Sequence, residues 1–139
     1  MLSITRIFKF EAAHAISNHS GACRNIHGHS YHLEITIVPK AGLVNNMVMD
    51  FKELKGIVEK SILNDYDHAL ILKNGIWDKA IIDSISPKTI WLQEEPTAEI
   101  IITDMVARIT PLLPAHVYLK KLLLKETAKC YAAWENNAI

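Results

Sequence analysis

Histidine is concentrated in one short stretch of this chain. Five of its seven histidines lie between positions 14 and 32, namely His14, His19, His27, His29 and His32. His27 and His29 stand two residues apart at the start of a predicted strand, and residues at that spacing project from one face. His14 ends the preceding predicted strand on the same expected side. Three neutral imidazoles with an open fourth position are typical of catalytic zinc, although ordinary polar loop histidines remain the alternative.

Three further residues have side chains suited to proton transfer. Cys23 lies four residues before His27, and a thiol reacts as the thiolate, which a neighbouring cation favours. Asp67 and His68 are adjacent after a predicted helix, where the carboxylate can orient the imidazole and stabilise its charged form. Spacing alone equally allows an incidental loop cysteine and a solvated turn. The second cysteine, Cys130, falls in an apolar strand context, which predicts an inert buried thiol.

Two residues at the ends of predicted elements could contact a ligand. Glu126 follows Lys125 at the end of a hydrophobic strand. Its carboxylate could accept two parallel hydrogen bonds from a guanidine-like edge, although a surface charge at a strand end is the simpler interpretation. Thr97 is a natural N-cap for the helix that follows it, and that structural role needs no ligand.

The hydrophobic pattern predicts the elements that must position these groups. Residues Ile4 to His14 alternate with a period of two, and His29 to Val38 do so more regularly until Pro39 ends the run. These two runs predict a β-hairpin. The remaining pattern predicts, in order, a helix opened by Asp50, a long connection with a candidate short strand at Thr89 to Leu92, a helix that starts at Pro96-Thr97 and ends at Pro111 and Pro114, and strands over His116 to Lys125 and Cys130 to Trp134.

This order of elements predicts an α+β fold. Two strands, two helices and two strands are typical of an antiparallel four-stranded sheet with two helices on one face. A chain of 139 residues suits one domain, so residues 1–139 are predicted to form a single domain. A sheet of this size leaves two edges that invite pairing with another chain, so we expect a homo-oligomer in which edges are joined.

Composition argues against several classes of protein. Fifteen Lys+Arg balance 15 Asp+Glu, so the formal net charge is zero, which argues against broad binding to nucleic acid. Two cysteines make no disulfide framework. Arg6 and Lys9 interrupt the apolar N-terminus, unlike a signal peptide, and no apolar stretch is long enough to span a bilayer. We therefore expect a cytoplasmic protein with no nucleic-acid or membrane partner.

Several short segments together resemble the 6-pyruvoyl-tetrahydropterin synthase family, which also contains the 6-carboxytetrahydropterin synthases of queuosine biosynthesis. Each segment alone is modest, but the set is specific, stands in family order and spans nearly the whole chain. The matching segments are Phe10-Glu11-Ala12-Ala13-His14, Cys23-x3-His27-Gly28-His29-Ser30-Tyr31, Met49-Asp50-Phe51-x2-Leu54-Lys55, Asp67-His68, Pro96-Thr97-Ala98-Glu99 and Lys125-Glu126-Thr127.

The resemblance implies roles for the residues singled out above. A zinc ion, Zn²⁺, would be bound by His14, His27 and His29. Cys23 would be the catalytic thiolate, and the Asp67-His68 pair would complete the proton-transfer set. These assignments rest on the family's pattern rather than on the spacing alone.

The resemblance also implies how the substrate is held and how the chain assembles. Glu126 would anchor the ring of a pterin triphosphate, with Thr97 as a lesser contact. The implied fold is the tunnelling fold (T-fold), in which sheets join across subunits into a barrel. Active sites lie at subunit interfaces, and homohexamers built as dimers of trimers are common in the family.

The short Cys-x3-His-Gly-His spacing resembles the 6-carboxytetrahydropterin branch. That branch converts 7,8-dihydroneopterin triphosphate and water to 6-carboxy-5,6,7,8-tetrahydropterin, acetaldehyde and triphosphate. Two alternatives stay open: a 6-pyruvoyl-tetrahydropterin synthase or related pterin-cleaving enzyme, and a non-catalytic module that binds zinc and a pterin. The connection from Leu72 to Glu95 is longer than in compact bacterial members. No distinctive triphosphate motif stands out, and Arg24 and Lys55 are no more than candidates.

Overall fold

The computed structural model describes all 139 residues, Met1 to Ile139. None of its helices combines the length and the apolar character needed to cross a membrane. A π-helical turn, Glu59–Leu63, joins the first two helices. In chain order, the strands and helices are β1 (Ile4–His14), β2 (His27–Pro39), α1 (Phe51–Val58), α2 (Asn64–Tyr66), β3 (Ala69–Lys73), α3 (Lys79–Ile85), β4 (Thr89–Leu92), α4 (Ala98–Ile109), β5 (Val117–Lys125) and β6 (Tyr131–Glu135).

All strands belong to one sheet, in the order β4-β3-β1-β2-β5-β6. The neighbours β1 and β2, β2 and β5, and β5 and β6 pair antiparallel, which confirms the predicted α+β fold and its four antiparallel strands. Two short strands extend this unit, because β3 pairs parallel to β1 and β4 pairs parallel to β3. The sheet is therefore mixed and has six strands rather than four.

The added elements lie in the long connection, where the structure confirms the candidate strand Thr89 to Leu92 as β4 and adds β3 and α3, which the sequence pattern does not predict. Strand β3 gives no alternating signal because four of its five residues are buried, as is usual in parallel strands. Helix α3 is short, and the carboxylate of Asp78 caps it by accepting the Ala80 N–H at 3.0 Å. Its Ile82 packs with Leu70 and Leu72 in a small second core. The long connection therefore builds one edge of the sheet.

Helices α1 and α4 cover the face of the sheet that receives the alternating apolar residues of β1 and β2. There Phe10 and Tyr31 stack with 4.9 Å between ring centroids. Leu54 of α1 and Met105 of α4 are fully buried in the same core. Burying a side chain of this kind contributes about 1.5–3 kcal/mol, so the two helices are held firmly against this face. This agrees with the predicted placement of two helices on one face.

Both predicted N-caps are confirmed. The Asp50 carboxylate accepts the Lys52 N–H at 2.7 Å at the start of α1. The Thr97 hydroxyl accepts the Ile100 N–H at 3.3 Å at the start of α4. Each cap satisfies a backbone N–H that the first turn of a helix leaves free. The cap on α4 fixes the start of that helix at the end of the sheet where the histidines lie.

Candidate metal centre

Three histidines meet where the β1–β2 hairpin opens toward α4. One ring nitrogen from each of His14, His27 and His29 lies within 4.8 Å of the others. The strand register brings this about, because His14 pairs with His27 and Ala12 pairs with His29 across β1 and β2. Directly opposed residues share a face, as do residues two apart. The group of three that the sequence predicts is therefore assembled by the hairpin alone.

Main-chain carbonyls set the tautomers of two of these rings. The Nδ1 atoms of His14 and His27 lie 2.7 Å from the carbonyl oxygens of Pro96 and Asn25, respectively. A carbonyl oxygen only accepts, so each Nδ1 carries the proton, and in the neutral rings each Nε2 carries a lone pair. These two Nε2 atoms face each other at 3.1 Å. A shared cation is the partner that would satisfy both lone pairs.

The third histidine strengthens the case for a cation. The Nε2 atom of His29 is buried and has no hydrogen-bond partner, an arrangement that costs free energy unless a ligand supplies one. Burial lowers the pKa of His14, against the opposing effects of the Pro96 carbonyl and the Glu126 charge, and favours the neutral form that binds metals. Three imidazoles, two of them oriented by carbonyls, form a donor set that suits Zn²⁺.

Glu126 brings a negative charge to this cluster. Its two carboxylate oxygens lie 4.0 Å from His14 Nε2 and 3.9 Å from His29 Nε2. The main chain at Glu126 is fixed in the β5–β6 turn, where its N–H donates to the Cys130 carbonyl at 3.1 Å. Glu126 and Thr97 also line a common cavity of about 230 Å³. The two residues expected to contact substrate therefore lie together beside the histidines.

Tyr31 lies in this site, although the sequence analysis assigns it no role. It is fully buried, its ring lies 5.4 Å from that of His29, and its hydroxyl has no hydrogen-bond partner. The β2–β5 register places it opposite Glu126, one step beyond the paired His32 and Lys125. Burial, with a smaller effect from the Glu126 charge, raises the pKa of Tyr31 well above its ordinary value. Its position two residues after His29 is the sequence signal that could have identified it.

The unpartnered hydroxyl of Tyr31 leads to a stability prediction. We expect Tyr31→Phe to leave the free energy of unfolding unchanged, or to raise it by up to about 1 kcal/mol, because no hydrogen bond is lost. Tyr66→Phe is the matched control, since Tyr66 is equally buried but donates to the Asp104 carboxylate at 2.5 Å. That variant should lose about 1.5–3 kcal/mol. Urea unfolding of both variants measures this, and equal losses would show that the Tyr31 hydroxyl has a partner.

Cys23 lies in the loop between His14 and His27. It is part of a short 3-10 turn, Ala22–Arg24, and is partly buried. Its carbonyl accepts the Ile16 N–H at 2.9 Å, and Ser17 bonds the Glu95 carboxylate through both its N–H and its hydroxyl. These bonds tie the Cys23 loop to the segment that leads into α4. The structure thus places the thiol in the loop whose ends carry two of the clustered histidines.

The prediction for Cys130 is wrong. This thiol is exposed rather than buried, because Cys130 precedes β6 in the β5–β6 turn instead of lying within the strand. The strand begins only at Tyr131, and its outer positions alternate with partly buried ones. Cys130 and Tyr131 both line the 230 Å³ cavity beside Glu126.

Asp67 and His68 contact each other rather than the clustered histidines within one chain. His68 Nδ1 is 3.1 Å from the Asp67 carboxylate, which also accepts the Glu11 N–H at 2.9 Å. None of the hydrogen bonds or ion pairs of this pair reaches the clustered histidines or Glu126. The His68 side chain is 75% exposed and borders a different cavity of about 540 Å³, which His29 also borders. The adjacent acid and imidazole are confirmed as a contact, but a single chain does not place them with Glu126.

The backbone at His68 is strained and firmly held. Its φ is +63°, a left-handed conformation that costs a non-glycine residue about 1–2 kcal/mol. The His68 N–H donates to the Glu11 carbonyl, and Lys88 Nζ donates to the Asp67 carbonyl. Such strain at a polar turn is typical of functional positions.

A network on α4 braces the segment before Asp67. Arg108 donates to the Asp104 carboxylate at 2.7 Å and to the Asp65 carboxylate at 2.6 Å. Asp104 in turn accepts the Tyr66 hydroxyl, and burial together with this hydrogen bond raises the pKa of Tyr66. The fixed residues directly precede Asp67, so the pair is presented from a well-supported turn.

Comparison with known proteins agrees with this geometry. The family model described as 6-pyruvoyl tetrahydropterin synthase matches residues 3–137. A Rickettsia felis protein named 6-carboxy-5,6,7,8-tetrahydropterin synthase is 35% identical over 137 residues, which cover 94% of this chain and 98% of that protein. A Haemophilus influenzae protein of the same name is 45% identical over 74 residues, about half of each chain (51% and 52%).

Solved structures resemble the whole chain. An uncharacterized protein from Wolinella succinogenes matches with a TM-score of 0.77 and 19% identity over 98% of both chains. The Caenorhabditis elegans 6-pyruvoyl tetrahydropterin synthase matches with a TM-score of 0.64 and 20% identity, over 98% of this chain and 96% of that one. At this identity the likeness shows the fold, which is the expected T-fold. With the family model and the full-length relatives, it shows that the chain belongs to the 6-pyruvoyl tetrahydropterin synthase family.

Proposed function

We propose that this protein is a zinc-dependent 6-carboxy-5,6,7,8-tetrahydropterin synthase. It converts 7,8-dihydroneopterin triphosphate and water to 6-carboxy-5,6,7,8-tetrahydropterin, acetaldehyde and triphosphate, as a cytoplasmic enzyme of queuosine biosynthesis. The observation that carries the proposal is the convergence of three imidazoles beside the Glu126 carboxylate. The names of the full-length relatives support the product.

In this proposal, different residues of the chain bind the metal and transfer the protons. His14, His27 and His29 would hold a zinc ion, which would supply Lewis-acid polarisation of the substrate. Cys23, as the thiolate, takes or returns the proton on the adjacent carbon. His68, whose Nδ1 lies 3.1 Å from the Asp67 carboxylate, moves a proton through its exposed ring on the other side of the substrate.

The remaining residues hold the substrate in place for these transfers. Glu126 accepts two parallel hydrogen bonds from the guanidine-like edge of the pterin ring. Thr97 borders the same cavity and is a lesser contact. Fixing the ring at this end brings the reacting carbons within reach of the proton-transfer groups, which is where orientation lowers the barrier.

A second copy of the chain completes the site in this proposal. It is supported by the different cavities that His68 and Glu126 border within one chain. Strands β4 and β6 are the two edges of the sheet, and their free backbone groups suit pairing with neighbouring copies. We propose a homohexamer built as a dimer of trimers, with each active site at a subunit interface.

Product analysis tests the proposed reaction. Zinc-loaded protein is incubated with 7,8-dihydroneopterin triphosphate, and the products are identified by mass spectrometry. We expect the carboxy product together with acetaldehyde, which only carbon–carbon cleavage releases. Metal analysis of protein purified without chelators accompanies the assay, and zinc far below one ion per chain would overturn the metal assignment.

The runner-up is a 6-pyruvoyl-tetrahydropterin synthase, and the family model's description and the C. elegans neighbour favour it. It would release triphosphate without acetaldehyde in the same assay. The other alternative is a non-catalytic module, which would bind zinc and a pterin in this assay but turn over no dihydropterin. The Cys23 thiol and the supported Asp67-His68 pair argue against this last alternative, since simple binding requires neither.

A further inference from the structure

The peptide group between Asp67 and His68 is hydrogen-bonded at both of its ends. Its N–H, which belongs to His68, donates to the Glu11 carbonyl. Its carbonyl, which belongs to Asp67, accepts a hydrogen bond from Lys88 Nζ. The second of these bonds has a charged donor, and such bonds are stronger than those between neutral groups. A single side chain from the long connection is therefore bonded to the peptide plane at the centre of the proton-transfer pair.

This peptide plane sets the backbone conformation of His68. Asp67 has φ −66° and ψ 124°, and His68 has φ +63°, values close to those of the two central residues of a type II β-turn. Rotating the peptide group between these residues by about half a turn converts type II to type I, in which the second central residue has φ of about −90°. Type I accepts most side chains, whereas type II favours glycine or asparagine at this position. A histidine here would adopt the type I form unless contacts held the peptide plane.

The main chain at Lys88 is fixed beside this turn. Lys88 directly precedes β4, and its carbonyl accepts the Leu70 N–H at 3.0 Å. Leu70 pairs with Thr89 where β3 and β4 run parallel. The Lys88 side chain is exposed, and its hydrogen bond goes to the Asp67 carbonyl rather than to a carboxylate. The long connection therefore supplies both an edge strand and a cation bound to the turn.

We propose that Lys88 is a positioning residue for the proton-transfer pair: its ammonium holds the turn at Asp67 in the type II form and thereby fixes where the His68 imidazole lies. The inference rests on the proposed function, because it needs a reaction in which His68 moves a proton. Lys88 does not touch the substrate in this arrangement. A displacement of about one ångström in a reacting group lowers the rate strongly, so the effect of Lys88 falls on kcat rather than on substrate binding.

Steady-state kinetics of three variants test the role of the ammonium. Lys88→Met removes the charge but keeps most of the apolar stem, and it should lower kcat for 7,8-dihydroneopterin triphosphate by about 10–100-fold while KM changes less than about twofold. Lys88→Arg keeps a charged donor and should stay within about threefold of the parent kcat. Lys79→Met is the matched control, because it removes an equal charge from the same connection, where Lys79 Nζ lies 5.0 Å from the centroid of the Trp91 ring. This control should change kcat less than about twofold.

The backbone of the turn supplies a measurement that needs no substrate. In crystal structures, His68 should keep φ near +63° in the parent protein and in Lys88→Arg, and should change to a negative φ in Lys88→Met. In solution, the amide hydrogen of His68 should exchange with water faster in Lys88→Met. The amide of Asp67 is the internal reference, since it donates to the Leu63 carbonyl at 2.9 Å and should keep its exchange rate.

The outcomes separate this inference from the proposed function. A Lys88→Met protein with normal kcat, or with a low kcat and an unchanged φ at His68, would overturn the inference and leave the proposed reaction in place. A raised KM with unchanged kcat would also overturn it, because the ammonium would then bind the substrate itself. Equal losses in Lys88→Met and Lys79→Met would overturn it as well, since they would show an effect of net charge. If the parent protein does not turn over the substrate, the proposed function is wrong, and the backbone measurements alone decide whether Lys88 holds the turn.

Discussion

Replacing His29 with alanine is expected to reduce zinc affinity by at least about 100-fold and to remove detectable turnover of dihydroneopterin triphosphate. The Nε2 atom of His29 has no protein hydrogen bond to lose. The variant should therefore fold as well as the parent chain, and its defect should be confined to the metal. Metal content after dialysis, zinc affinity and thermal unfolding of the metal-free protein measure the three effects separately.

His32→Ala is the control for this experiment. His32 lies on the same strand but projects from the other face, where its Nε2 contacts the Glu34 carboxylate at 2.8 Å. This variant should keep one zinc ion per chain and full activity. Normal zinc content in His29→Ala, or an equal loss of zinc in the two variants, would contradict the three-histidine site.

Two inactive variants are expected to restore activity when they share an oligomer. Cys23→Ala and His68→Ala should each lower kcat by about 10²–10⁴-fold, because each removes one proton-transfer group. Co-expression of the two chains, with different tags for isolating the mixed oligomers, should recover about a quarter of wild-type activity if each site combines Cys23 from one chain with His68 from a neighbour. With random mixing, half of the chains carry an intact Cys23 and the other half an intact His68. About a quarter of the sites then combine both intact residues.

The mixed oligomers distinguish two arrangements of the active site. If both residues of a site came from one chain, every site in the mixture would lack one of them and no activity would return. The shared arrangement is the one we expect, since Asp67 bonds to the Glu11 N–H and contacts His68, and no bond joins the pair to the clustered histidines within one chain. Size-exclusion chromatography of each variant alone checks that neither substitution prevents assembly.

The sequence predicts the convergence of the three histidines well because the period of the two strands determines it. His14, His27 and His29 lie at the ends of the two clearest alternating runs, and opposed positions in a hairpin share a face. The N-caps of α1 and α4 are equally local signals, since Asp50 and Thr97 need only their own first turns. These features require no knowledge of distant parts of the chain.

The sequence pattern does not predict features that depend on contacts between distant parts of the chain. Strand β3 is buried between β1 and β4, so its continuous apolar run looks the same as any short core segment. The exposure of Cys130 depends on where the β5–β6 turn ends, and boundaries of elements are poorly set by local pattern. The position of Tyr31 near Glu126 follows only from the pairing of β5 with β2.

The carbonyl oxygens that orient His14 and His27 have a consequence for how this centre tolerates mutation. Every residue type offers the same carbonyl, so the side chains at positions 25 and 96 can change without altering either tautomer, provided that the backbone path is kept. The tautomers are instead sensitive to substitution of the residues that fix the backbone path, such as Ser17 and Glu95. Mutations there would misalign an imidazole, and so weaken the proposed binding of zinc, while all three histidines remained in the sequence.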